Sequence, residues 1–99
     1  MPVNPIQLHV DLEVDPAKEN DLVETFHTVF QPTISRQPGF VSVALLKTRV
    51  AHAYRLVISF QSEEQRATWV GTADHQRVWP QMEASLRGAK FAAMLWQRL

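Results

Sequence analysis

The stretch "IQLHVDLEV", residues 6–14, decides how the rest of the chain is read. Ile6, Leu8, Val10, Leu12 and Val14 take every second position, while Gln7, His9, Asp11 and Glu13 fill the alternate ones. A period of two held over this length predicts a strand with one buried face and one polar face. Such a strand needs partners beside it and a layer above it, and the following segments supply both.

Asp15 is placed to cap a helix, Pro16 suits its first turn because its missing N–H would be an orphan there, and Glu19 favours the positive end. Leu22, Phe26, Val29 and Phe30 then recur at helical spacing. Pro32 predicts a kink or restart, and Gln37-Pro38-Gly39 a stop. "FVSVALLKT" (40–48) reads as a strand buried on both faces in its middle. A polar turn from Arg49 to Ala53 leads to "YRLVISF" (54–60), which makes a hairpin with it. Ser62 and Gln65 have capping-box spacing, opening a second helix that Gly71 ends. Thr72 caps a further helical stretch carrying Val78, Met82 and Leu86, with a kink expected at Pro80 and Gly88 at its C-terminal end. "KFAAMLWQRL" (90–99) reads as a fourth strand. The order β-α-β-β-α-β predicts an α+β, ferredoxin-like antiparallel sheet with both helices on one face, in a single domain over 1–99.

Composition narrows the function classes. Ten Lys and Arg balance ten Asp and Glu, and the basic residues are scattered, so no footprint for nucleic acid is present. The absence of cysteine excludes disulfides, iron–sulfur clusters and thiol catalysis. No pair of histidines has ligand-like spacing, so no metal site is expected. "MPVNPIQLHV" lacks the features of a secretory signal and no segment reaches the ~20 apolar residues of a membrane helix. The expectation is a soluble, cytoplasmic protein without membrane contact.

Helices cover one face of such a sheet, and the other still carries apolar groups. Val41, Val43 and Leu45 alternate with Phe40, Ala44 and Leu46 on the second strand, and Met94 and Trp96 with Phe91 and Leu95 on the fourth. An apolar patch of that kind marks an interface. Burying ~400 Å² per subunit would favour association by on the order of 10 kcal/mol before association costs. A two-fold homodimer through the open sheet face is the expected solution.

In order and spacing, "DPAKENDLVETF", "QPGF", "YRLVISFQSEEQRATW" and "GTADHQRVWPQM" resemble the antibiotic biosynthesis monooxygenase family of dimeric α/β barrels, over about Leu8 to Leu86. The resemblance implies a homodimer with a ligand cavity between sheet and helices in each protomer. It also implies a cofactor-independent monooxygenase acting on a small aromatic, polyphenolic or quinone substrate. The substrate would be deprotonated in an apolar pocket and its electron-rich anion would react with oxygen. Some members degrade haem, but the position matching their iron-binding histidine falls near Trp79, which cannot ligate iron, so no cofactor is expected. This chain also has Phe60 where many relatives end the third strand with Trp, and Trp69 where many have a histidine.

His75 is the catalytic candidate, because an imidazole with an ordinary pKa near 6.5 suits proton transfer at neutral pH. Its plainer alternative is a residue in the first turn after Thr72, bonding backbone or facing water. Trp69 fills the core or lines the cavity, and Phe60, Phe26 and Trp79 are core candidates from which a pocket for a hydrophobic or aromatic ligand would be carved. Arg66 is a candidate anion partner. An uninterrupted helix at ~100° per residue would set Trp69 and His75 about 120° apart, so they share a site only if the chain bends at Gly71. His9 beside Asp11 is either an acid–base couple or part of a row that is solvated or bonds across the dimer, and His27 and His52 are expected in water. The lack of a nucleophile, carboxylate pair or metal set favours the alternative of a non-catalytic small-ligand-binding or interaction homodimer.

Overall fold

In a computed structural model, residues 5–99 are described, with the backbone alone for residues 89 and 90. The alternation in 6–14 builds β1 (Ile6–Val14), and Ile6, Val10, Leu12 and Val14 are buried while Asp11 and Glu13 stay exposed. β1 lies inside a four-stranded antiparallel sheet of order β2-β3-β1-β4, where β2 is Phe40–Lys47, β3 is Ala53–Phe60 and β4 is Leu86–Gln97. The β-α-β-β-α-β reading is the observed α+β, ferredoxin-like architecture.

The register assigns each side chain to a layer. Leu8 pairs with Ile58 and Leu95, Val10 with Leu56 and Ala93, and Leu12 with Tyr54 and Phe91, so these sit on the helix-covered face. His9 pairs with Val57 and Met94, and Gln7 with Ser59 and Trp96, on the open face. β2 is an edge strand rather than one buried on both sides: Ala44 and Leu46 are exposed. A β-bulge between Phe40 and Ser42 also breaks its alternation. Phe40 therefore joins Val43 and Leu45 against the core, edge-on to Phe60 at 6.1 Å, and Val41 is turned out.

The first helical segment is continuous but changes pitch. Pro16–Lys18 is a 3₁₀ turn capped by Asp15 Oδ1, which accepts from Ala17 N–H at 2.9 Å. α1 (Glu19–Thr25) passes through a π-helical turn, Phe26–Phe30, into α2 (Gln31–Ile34). Gln31 N–H reaches Phe26 O, five residues back. Widening the helix just before Pro32 makes room for the pyrrolidine ring, so the chain neither restarts nor breaks there. α3 (Glu63–Val70) is capped by Ser62 Oγ, which accepts from Gln65 N–H at 3.2 Å. α4 (Ala73–Glu83) runs through Pro80.

β4 begins earlier than the apolar run indicates. The helix stops at Glu83, and Gly88 lies within the strand at φ 63°, in an irregularity between the Val14–Leu86 and Leu12–Phe91 pairs. Phe30, Leu22 and Ile34 from the first helical segment and Val78 and Met82 from α4 pack on Leu56, Phe60 and β1 to form the core. No helix of the described residues is long and apolar enough to cross a membrane.

Candidate functional site

The site forms where α3 gives way to α4. Gly71 N–H donates to Thr68 O and Thr72 N–H to Trp69 O, both at 3.1 Å, closing α3 with a tight last turn. Gly71 has φ −84°, a value any residue adopts, so its special freedom is not what turns the chain. The turn is made by Thr72, whose extended backbone (φ −77°, ψ 156°) starts α4 in a new direction. Its hydroxyl donates to Trp69 O at 2.7 Å and accepts from His75 N–H at 3.1 Å. One oxygen thus ties together the backbones of both ring-bearing residues. The indole and imidazole meet edge to face, with centroids 5.0 Å apart at 80°.

Behind them is a cavity of about 220 Å³ between the sheet and the helices. Its floor is Leu8, Val10, Leu56 and Ile58. Trp69, Val70 and Arg66 of α3, His75 and Trp79 of α4, and Phe30 form the opposite wall. Phe91 and Ala93 of β4 close one side, and these two with Val70 are exposed, marking the mouth. Phe91 also meets Trp79 edge to face at 5.2 Å. A dry apolar cavity of ~150 Å³ accepts benzene, so this space suits a molecule of one or two rings.

His75 and Arg66 are the polar residues described in an otherwise greasy wall. The His75 Nδ1 is buried and, among the described residues, has no hydrogen-bond partner. Its ring lies between Trp69 and Trp79, near-parallel to the latter at 6.4 Å and 22°. Burial pushes the imidazole pKa below its usual 6.5. Its place in the first turn of α4 favours the same neutral form, because the helix N-terminus repels a cation. The result is a base that is uncharged at neutral pH. Arg66 is in the wall, but its guanidinium is engaged by Glu63: Nε and one Nη donate to the two carboxylate oxygens at 2.7 and 2.6 Å.

The sequence candidates divide accordingly. His75, Trp69, Arg66 and Trp79 come together around one cavity. Phe60 and Phe26 are not among its lining residues; both are buried in the core, Phe60 against Phe40 and Phe26 against Phe30 at 6.2 Å. Phe91 was not singled out as a site residue, because only the β4 register shows that it faces the helices. His52 is not simply solvated: its Nδ1 lies 3.2 Å from Glu19 Oε2. His9 Nε2 lies 3.2 Å from Gln7 Oε1 and its ring 5.6 Å from Trp96, while Asp11 pairs with Arg55 at 2.8 Å. Among the described residues no group of three His, Asp or Glu side chains is arranged to hold a metal ion.

The sequence profile of the antibiotic biosynthesis monooxygenase family matches residues 5–80. The chain belongs to that family. Solved structures with the same fold include a candidate antibiotic biosynthesis monooxygenase from Bordetella bronchiseptica. It has a TM-score of 0.87 and 19% identity over 97% of this chain and 98% of that one. SnoaB, a cofactor-independent oxygenase from Streptomyces nogalater, has a TM-score of 0.77 and 17% identity over 94% and 91%. A conserved protein of Methanosarcina mazei has a TM-score of 0.83 and 9% identity over 99% and 96%. At these identities the likeness to an antibiotic biosynthesis monooxygenase structure is one of fold. No match is found among curated proteins.

Proposed function

We propose that this family member is a cofactor-independent monooxygenase of small phenols, working as a cytoplasmic homodimer with His75 as its base. The observation that carries the reading is His75, whose Nδ1 is buried and without a hydrogen-bond partner among the described residues, in the wall of an apolar cavity of ring dimensions. A phenol in that cavity gives its hydroxyl proton to the His75 imidazole. The phenolate, desolvated among Trp69, Trp79 and Phe30, is a strong one-electron donor to dioxygen. Superoxide and the phenoxyl radical combine at the ring carbon para to the oxygen. The imidazolium returns its proton to the peroxide. Loss of the ring hydrogen as a proton, with cleavage of the O–O bond, then leaves a quinone and water. One phenol and one dioxygen thus give one quinone and one water, with no external reductant.

The homodimer is supported by the open sheet face, where Leu46, Met94 and Trp96 are each about half exposed. Oxygen uptake with 1-naphthol, and incorporation of labelled oxygen into 1,4-naphthoquinone, tests the reaction. Uptake abolished by His75→Ala is the expected result. No uptake across one- and two-ring phenols would remove the proposal.

One observation favours a second reading, non-catalytic binding of the same ligands. Among the described residues no side chain holds His75 Nδ1, and catalytic bases are commonly oriented by a third group. Thermal stabilisation by 1-naphthol without turnover, unaltered in His75→Ala, would select this reading.

A further inference from the structure

We propose that Glu63 sets the charge selectivity of the pocket, making it a site for uncharged hydroxy- or oxo-aromatic molecules that turns carboxylated and sulfonated analogues away. The inference rests on reading the cavity as a ligand site and is independent of turnover.

Among the described lining residues, two, Arg66 and His75, carry titratable side chains. A free guanidinium in such a wall would draw anions, because charge interactions strengthen in an apolar, poorly solvated space. Arg66 is not free in that sense. Its side chain is mostly covered, with 19% exposed, and it grips both oxygens of Glu63 in a bidentate pair. The carboxylate itself is outside the lining set, about half exposed, in the first turn of α3. The helix N-terminus and the guanidinium both hold it in its charged form; its pKa is lowered by the Arg66 hydrogen bond.

Among the described residues of the wall, the Arg66 charge is therefore offset by Glu63, and burial favours the neutral form of the His75 imidazole. An anionic ligand would shed its hydration for an apolar cavity in whose wall the Arg66 cation is already compensated, with Glu63 behind it to repel. An uncharged ligand avoids both penalties. Arg66 still has N–H groups beyond the two that Glu63 takes, since a guanidinium carries five. Those can donate to a carbonyl or phenolic oxygen. His75 supplies the second polar contact, and the rest of the surface is hydrocarbon. Glu63 thus acts through Arg66 as a positioning residue for specificity.

The pair is partly exposed and within one helical turn, so it adds little to the stability of the fold. Selectivity can therefore be altered without unfolding the protein. Binding is read by quenching of Trp69 and Trp79 fluorescence, with 1-naphthol as the neutral probe and 1-naphthoate as the anionic one, at pH 7.5. The wild type should bind 1-naphthol at least about tenfold more tightly. Glu63→Gln should raise 1-naphthoate affinity by about tenfold or more while leaving 1-naphthol within about threefold. Glu63→Gln combined with Arg66→Gln should lose that gain, which separates release of the cation from a simple change of shape. Glu63→Ala repeats the test should Glu63→Gln melt early. Equal binding of both probes by the wild type, binding of neither, or an unchanged 1-naphthoate affinity in both Glu63 variants would overturn the proposal. Binding with the expected preference but without oxygen uptake would leave this inference standing and remove only the monooxygenase reading.

Discussion

Trp69 and His75 face each other at 5.0 Å because Thr72 turns the chain between them and bonds to both. Removing that hydroxyl leaves Trp69 O without its side-chain donor and the first turn of α4 without its cap. Thr72→Val should cost ~1–2 kcal/mol in urea unfolding, the usual loss for a helix cap. It should also weaken 1-naphthol binding, because the two rings lose their fixed separation. Thr72→Ser should restore both.

Glu19 fastens the hairpin end to the first helix. Tyr54 Oη donates to its Oε1 at 3.0 Å and His52 Nδ1 lies 3.2 Å from its Oε2. The contact with His52, and next the hydrogen bond from Tyr54, hold the Glu19 pKa below its usual 4.5. A carboxylate of depressed pKa adds stability that is fully present above its unfolded pKa and disappears as the pH falls through the folded value. Glu19→Gln should therefore lower the melting temperature at pH 7. Its deficit against the wild type should narrow once the pH falls below 4.5.

Two glycines with positive φ make unequal demands. A Cβ on Gly39 (φ 81°) would collide with the Gln65 carboxamide, whereas one on Gly88 (φ 63°) meets nothing within 4 Å. Gly88→Ala should cost only the left-handed backbone, ~1–2 kcal/mol. Gly39→Ala should cost more, since Gln65 must also leave its bond with Ser62. Paired urea titrations would check the order.

How far the fold was legible depended on which face each strand declared. β1 declared both, through an unbroken alternation, and the caps at Asp15, Ser62 and Thr72 announced their helices. β2 and β4 did not. Their apolar residues alternate with other apolar residues, so nothing local says which set faces the helices. The register with β1 decides it, and the bulge at Val41 shifts one residue out of phase. Phe91 was hidden for that reason. Pro32 was legible as a disturbance, but its resolution through a π turn depends on how Phe26 and Phe30 both reach the core. At the site, residue types located His75 and Trp69, whereas their contact needed the turn at Thr72. The Glu63–Arg66 pair had a visible i, i+3 spacing; its meaning came only from the wall in which Arg66 lies.

Met94 and Trp96 are on the open face, away from the cavity. With Trp96→Glu, two copies packed through that face would each have to bury a charge. Size-exclusion chromatography with light scattering should report a dimer for the wild type and a monomer of 11.3 kDa for the variant. A wild type that stays monomeric at high concentration would remove the dimer.

The most direct test of the account is nitrogen NMR of the His75 imidazole across pH, with and without saturating 1-naphthol. Burial in the apolar wall predicts titration below 6.5 in the free protein. A depressed histidine pKa stabilises the fold fully above about pH 6.5, and that contribution drains away as the pH falls through the lowered value. Bound 1-naphthol should then shift the imidazole nitrogen resonances, with the same dissociation constant that quenches tryptophan fluorescence. A His75 that titrates above 6.5, or imidazole nitrogen signals that stay put while the ligand saturates, would contradict the central role given to this ring.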